Sequence, residues 1–315
     1  MSTAPRRPDA PPGGRKPVTI PHLAELKSQG QPIVMVTAYD FPSAQVAEEA
    51  EVDVVLVGDT AAMTVLGYES TVPVSMDEMV MLASAVRRGA RTPLVVGDLP
   101  FGSYQASSEL AVASAVRYMK EAGCDAVKME MAGVSGGVAD KRESVARARA
   151  VVAAGIPVMG HVGLTPQSAS ALGGYRTQGR TMEQAVQVAD DALALQDAGC
   201  FAVVFEAVPA AVTEVIMERM RIPVIGIGAG PATDGQVLVF HDMLGLHEGR
   251  SPRFVKAFAE AKDVMVEGMR AYADEVRDGR FPAEEHTYSI DPGELERFRE
   301  VIAPGKPWDA ADFMA

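Results

Sequence analysis

Two kinds of short apolar run alternate along the chain. The first opens with proline, at residues 32–36, 93–98, 157–160 and 223–226, and the last three of these reach glycine at or near their end. The second ends in an acid, at residues 52–59, 124–130 and 200–206. Two of the second kind echo each other as Ala-Gly-Cys-x-Ala-Val-x-x-Glu, from Ala122 and from Ala198. Unbroken apolar runs of this length read as parallel strands buried on both faces. Proline is tolerated at a strand's first residue, where its missing N–H costs least.

Helix signals fill the gaps. Residues 18–30 predict a short helix that starts near Thr19 or Pro21 and stops before Gly30. Others are expected over 43–50, from Ser75 with Glu78 completing a capping box, and from Ser107 or Ser108 to Ala122 before Gly123. A glycine-rich turn at 133–137 leads into a helix ending near Ala154, and 182–198 and a segment from Pro209 follow. Residues 237–244 read as an eighth strand region, and helical patterns return over 253–278 and 294–301. Residues 61–74 and the stretch from His161 to Arg180 show no clear period. A loop as long as the second is usually a lid or a binding loop. Strand types that alternate, one helix apart, are what a (β/α)8 TIM barrel leaves in a sequence, because alternate strands fill the same interior layer. A doubly wound open α/β sheet fits the spacing as well. On the barrel reading, 1–17 is a flexible N-terminal tail, 18–287 the catalytic barrel and 288–315 a C-terminal extension.

Composition narrows the function. Apolar residues make up 48% of the 315 and support a large core. No apolar run approaches the roughly 18 residues of a membrane span. The first 17 residues are rich in proline, arginine and glycine, unlike a signal peptide. A net charge of −13 argues against nucleic acid as a partner. Cys124 and Cys200 both open predicted buried strands, which suits a reducing cytoplasm.

Asp59, Asp98 and Glu130 end three successive strands, so in a barrel they lie side by side at one mouth. Three like charges that close need a cation or raised pKa values. Mg2+ suits such a site, being hard and content with carboxylates, water and substrate oxygens. Zinc is disfavoured: His161 alone among five histidines sits at a strand end, and no Cys/His spacing motif exists. Lys128 shares the face of Glu130, where a lysine is costly unless it meets acids or an anionic substrate. Glu206 ends an otherwise apolar strand and is the best candidate general base. His161 is a candidate for substrate contact, or for a hydrogen bond to the lid. The glycines of 226–230 do not complete a dinucleotide fingerprint, since residue 231 is proline. Mg2+, an inward lysine and a carboxylate base fit a 2-oxo acid whose enolate the metal favours. That enolate can add to an electrophile, or the same geometry can run as carbon–carbon cleavage. A binding protein without catalysis is the remaining alternative, and retention of all five charged residues argues against it.

These residues lie in motifs that resemble the ketopantoate hydroxymethyltransferase family. The matching segments are Thr37-Ala-Tyr-Asp40, Val57-Gly-Asp-Thr60, Gly97-Asp-Leu-Pro-Phe101, Lys128-Met-Glu130 and Gly160-His-Val-Gly-Leu-Thr-Pro-Gln-Ser168. They continue with Gly173-Gly-Tyr-Arg-Thr-Gln-Gly-Arg180, Ile222-Pro-Val-Ile-Gly-Ile-Gly-Ala-Gly230, Asp234-Gly-Gln236 and Glu284-Glu-His286, in family order. The resemblance implies a TIM barrel of the phosphoenolpyruvate mutase/isocitrate lyase type. It implies Mg2+-dependent hydroxymethyl transfer from 5,10-methylenetetrahydrofolate to 3-methyl-2-oxobutanoate, giving 2-dehydropantoate for pantothenate synthesis. By motif, Asp59, Asp98 and Glu130 would hold the metal. Asp59, Thr60, Asp98 and Lys128 would contact the 2-oxo acid, and Glu206 would accept the proton. A cytoplasmic homo-oligomer, possibly a decamer, is implied as well. Arg176 and Arg180 are placed to meet the folate glutamate tail. Three departures stand out: Thr60 where serine is usual, Met131-Ala132 where glycines are usual, and Ala207 after Glu206. Met131 is expected to add bulk beside Glu130 and to narrow the pocket.

Overall fold

The computed structural model describes residues 14–131, 138–169, 174–246 and 252–303. Eight parallel strands close into a barrel in chain order. They are β1 (Ile33–Thr37), β2 (Val54–Val57), β3 (Leu94–Asp98), β4 (Ala126–Glu130), β5 (Val158–Gly163), β6 (Ala202–Glu206), β7 (Val224–Ile227) and β8 (Gly235–Leu238). β8 returns to β1 with Ile33 opposite Gly235 and Met35 opposite Val237, which rules out the open sheet. Helix α1 (Ile20–Ser28) precedes β1, and α2 (Phe41–Glu49) follows it. After β2 come α3 (Ala61–Thr64) and α4 (Met76–Gly89), and after β3 comes α5 (Ser108–Arg117), continued by a wider turn over Tyr118–Ala122. Then α6 (Val138–Ala153), α7 (Met182–Asp197) and α8 (Ala210–Met217) follow β4, β5 and β6, and α9 (Phe240–Met243) follows β8. The chain divides into two compact units, Met1–Glu260 and Ala261–Ala315. The second contains α10 (Ala261–Arg277) and α11 (Pro292–Val301), with Phe281 against Tyr272 and His286. No helix among the described residues is long and apolar enough to cross a membrane.

The period of two along each strand sorts side chains into two layers. Met35, Leu56, Val96, Met159, Val204, Ile225 and Val237 fill the barrel interior, together with Leu23 and Leu26 of α1. Val55, Val95, Val127, Met129, Val203 and Phe205 face outward and pack on the helices through residues such as Met79, Val86, Ala115 and Leu195. Helix α1 plugs the N-terminal end of the barrel, tied there by Val18 N–H to Thr92 O and by Lys27 to Asp234.

The alternation of strand types has a cause at that same end. Asp53, Asp125 and Asp234 stand just before β2, β4 and β8. Their carboxylates accept the N–H of Val34 (2.9 Å), Val95 (2.9 Å) and Val224 (2.8 Å) on the preceding odd strands. Each odd strand opens with proline and each of these even strands with aspartate, because the second staples the first. At β6 the corresponding position is Phe201.

Helix starts follow the capping signals. Ser75 and Glu78 form the expected capping box, and Ser107 caps α5. Asp40 caps α2, which therefore begins earlier than the sequence pattern indicates. Three expectations need correction. The helical pattern over 253–278 forms a helix only from Ala261, where α10 begins. The aperiodic stretch 61–74 contains α3, four residues long and too short to show a period. The eighth strand stops at Leu238, since the Phe240 N–H turns to Thr37 Oγ1 at 2.9 Å and opens α9.

Gly97 illustrates how closely helix and strand approach. A Cβ there would lie 2.6 Å from the Tyr118 ring, whose hydroxyl donates to Asp98 O at 2.6 Å. Gly97→Ala should therefore cost about 1–3 kcal/mol by overpacking. Gly268→Ala in α10, where nothing lies within 4 Å, should be neutral or stabilising by up to ~1 kcal/mol. Urea denaturation of both variants beside the parent decides the point; equal midpoints would refute the close packing.

Candidate active site

The C-terminal ends of β2 to β6 carry one continuous run of charged groups. Asp98 closes β3. Its Oδ2 accepts the Asp59 N–H at 3.1 Å, and its Oδ1 meets Lys128 Nζ at 2.6 Å. Lys128 and Glu130 are two residues apart on β4 and both face inward, with Nζ 3.8 Å from Glu130 Oε1. His161 on β5 lies beyond, its Nδ1 3.5 Å from Glu130 Oε1 and its Nε2 3.3 Å from Glu206 Oε2 on β6. All are buried except Glu206, whose side chain keeps 16% exposure and opens to the mouth. The order Asp59, Asp98, Lys128, Glu130, His161, Glu206 thus follows the strands around half the barrel.

Backbone geometry aims these groups. Gly163 ends β5 at φ 92°, and a Cβ there would meet the Glu206 carbonyl at 2.2 Å. The Leu164 N–H donates to that same carbonyl at 2.9 Å. Ala207 turns the chain immediately after Glu206 at φ 49°, a left-handed conformation unusual for alanine. Its carbonyl accepts the Gln178 N–H at 2.9 Å, which ties the lid segment to the strand end bearing Glu206.

Electrostatics separate the acids. Burial raises Asp59 well above the usual carboxylate range, and the charges of Asp98 and Glu130 add to the effect. Asp98 is also raised, by burial and by Glu130, against the pull of Lys128. Burial opposes ionisation of Glu130 too, but contact with His161 and the Lys128 charge outweigh it, and its pKa falls. Burial and Lys128 disfavour a charged His161, yet Glu130 and Glu206 prevail and hold it up at about 9. Lys128 stays charged because Asp98, Glu130 and Asp59 overcome its desolvation.

The site thus gathers more carboxyl groups than cationic ones, and Glu130 Oε1 is buried without a hydrogen-bond partner. Both features fit a small hard cation. No three His, Cys, Asp or Glu among the described residues converge as a ready-made cage. A fitting ion is therefore one that takes a minority of its ligands from protein carboxylates and the rest from water or substrate, as Mg2+ does.

The sequence-predicted residues come together, with two qualifications. Thr60 is half-buried beside Asp59, and its Oγ1 lies 2.7 Å from the Tyr39 hydroxyl. Tyr39 is buried, which pushes its pKa up to about 12. The expectation for Met131 is overturned. It packs in the outer layer with Val127 and Met129, on the opposite face from Glu130, so it does not narrow the mouth. Ala132 lies outside the described residues. The long segment after His161 includes the end of β5 and a 3-10 turn over Pro166–Ser168, with 170–173 outside the described residues. Arg176 and Arg180 are exposed. Gln167 and Tyr104 escaped the sequence reading. Gln167 is buried in the mouth and touches Asp59, Leu99, Tyr104 and Glu130, although an uncharged loop residue carries no chemical signature in a sequence.

Known proteins resemble this chain at two levels. Among solved structures, phosphonopyruvate hydrolase in complex with oxalate and Mg2+ matches with a TM-score of 0.56 and 15% identity, covering 91% of this chain and 99% of that one. The phosphoenolpyruvate mutase/isocitrate lyase superfamily member 2,3-dimethylmalate lyase matches with a TM-score of 0.55 and 17% identity, over 88% and 93%. At that identity the likeness speaks for the fold alone. The 3-methyl-2-oxobutanoate hydroxymethyltransferase of Carboxydothermus hydrogenoformans is 51% identical over 280 residues, 89% of this chain and 98% of that protein. That of Moorella thermoacetica is 52% identical over 274 residues, 87% and 98%. The profile of ketopantoate hydroxymethyltransferase matches residues 17–284. An eight-stranded barrel with these carboxylates at its mouth, and identity of this extent, make the chain a member of the ketopantoate hydroxymethyltransferase family.

Proposed function

We propose that the chain transfers a hydroxymethyl group from 5,10-methylenetetrahydrofolate to 3-methyl-2-oxobutanoate in the presence of Mg2+, giving 2-dehydropantoate for pantothenate synthesis. The observation that supports this best is the run of contacts that begins at the buried Asp59 and Asp98 and ends at Glu206, the one carboxylate of the series open to the mouth. Asp59, Asp98 and Glu130 would hold the ion. When bound, Mg2+ supplies Lewis-acid polarisation of the 2-oxo acid's carbonyl. Lys128 and the Thr60 hydroxyl are set to bind substrate oxygens at the same wall. Glu206 removes the proton from C3, and the carbon so activated forms the new bond to the donated one-carbon unit. Both C–N bonds of the folate's methylene bridge break; water supplies the new hydroxyl oxygen and its two hydrogens go to the bridge nitrogens, releasing tetrahydrofolate, while the proton taken from C3 ends on the new hydroxyl. His161, with both ring nitrogens toward carboxylates, lies against Glu206 and is a candidate for substrate contact. The same reading makes the working enzyme a homo-oligomer, with Arg176 and Arg180 near the folate tail.

Proton abstraction can be measured alone, as exchange of the C3 proton of 3-methyl-2-oxobutanoate in D2O followed by NMR. Glu206→Gln should slow this exchange by about 10²–10⁴-fold, the usual worth of a general base, while the 2-oxo acid still binds. Exchange at the parental rate would remove Glu206 from the role.

Chelation should abolish both exchange and transfer, and Mg2+ should restore them. Exchange without formation of 2-dehydropantoate on adding methylenetetrahydrofolate would keep the base chemistry and reject the donor. Cleavage of the 2-oxo acid would favour a lyase instead.

A further inference from the structure

Gln167 uses both side-chain polar atoms and its backbone N–H. Its Nε2 donates to Asp59 Oδ2 at 3.0 Å and to Leu99 O at 2.9 Å. Its Oε1 accepts from the Tyr104 hydroxyl at 2.7 Å and from Gln105 Nε2 at 3.1 Å. Its backbone N–H donates to Glu130 Oε2 at 3.1 Å. The direction of the amide is fixed by Leu99: its carbonyl only accepts, so the NH2 must face it. The 3-10 turn over Pro166–Ser168 brings this side chain across the mouth from β5 to the ends of β2 and β3.

One residue therefore occupies an oxygen of Asp59 through its side chain and an oxygen of Glu130 through its main chain. In Glu130 this leaves Oε1 as the atom without a hydrogen bond. Neutrality matters here. A lysine or arginine in this position would compete with a cation for both acids, and a carboxylate would repel them. An amide supplies two donors without charge.

We propose that Gln167 is a positioning residue that sets Asp59 and Glu130 for the cation. It occupies one oxygen of each carboxylate, which leaves Glu130 Oε1 free of hydrogen bonds, and it clamps the loop after β5 onto that geometry. The inference rests on the Mg2+ reading above. Groups that orient metal ligands in this way are typically worth 10–100-fold in metal affinity.

The test is Mg2+ binding to the full-length protein by calorimetry, without substrate, for the parent, Gln167→Met, Asp59→Asn and the double variant. Gln167→Met keeps the length and shape of the side chain and removes the amide. It should weaken Mg2+ by roughly 10–100-fold with the fold retained by circular dichroism. In the double variant the Gln167 change should add little to the loss from Asp59→Asn, because it acts through that carboxylate. Parental affinity in Gln167→Met, or losses that simply add, would overturn the proposal. Should Gln167→Met fail to fold, Gln167→Asn retains an amide one methylene too short and should show the same loss of affinity; parental affinity there too would overturn it. A parent that binds no Mg2+ would sink the metal reading itself, and this inference with it, an outcome distinct from a variant that binds normally.

Discussion

Lys128 and Asp98 meet at 2.6 Å with both side chains almost wholly out of water. Withdrawing two ions from water costs several kcal/mol each, and attraction between them offsets that only with good geometry and further hydrogen bonds. The surrounding structure supplies both. The Tyr118 hydroxyl holds the Asp98 carbonyl, and the Asp59 N–H takes the second carboxylate oxygen. β3 and β4 are in register at this level, with Asp98 opposite Lys128. The apolar layers below the mouth provide the stability that lets such a pair be kept. A closed barrel suits the task, since adjacent strands fix the separation of their side chains and leave no edge along which the site can spread.

Much of this was legible in the sequence because strands write their rules at short range. Proline and glycine punctuate the runs, and an acid after an apolar stretch stands where a strand emerges. Parity along β4 put Lys128 and Glu130 on one face. The same parity places Met131 on the other, so that error came from reading adjacency in sequence as adjacency in space. Other features were hidden for physical reasons. A four-residue helix such as α3 has no period to detect. The pairing of Asp53, Asp125 and Asp234 with backbone N–H groups depends on which strands are neighbours. Gln167 and Tyr104 are uncharged loop residues, and only the folded chain shows that they meet Asp59 and Glu130.

The contact between His161 and Glu206 joins the proposed base to the rest of the site. It makes the candidate site one electrostatic system rather than a metal site with a separate carboxylate. The two acids that flank His161 raise its pKa against the effect of burial, and its ring stands between them. Burial, which would neutralise any one of these groups alone, is tolerated at Asp98, Lys128, Glu130 and His161 because each has a partner of opposite sign.

Aspartates at the two ends of the barrel have opposite meanings. At the N-terminal end they staple one strand to the next; at the C-terminal end they face the mouth. Asp53 and Asp59 belong to the same short run and differ in which rim they occupy. For genetics this separates two kinds of lesion. Loss of a staple lowers the amount of folded protein in a cell, a deficit that cooler growth or more expression relieves. Loss of a mouth group that is open to solvent, such as Glu206, would on the proposed function leave normal amounts of an idle enzyme, which neither remedy rescues.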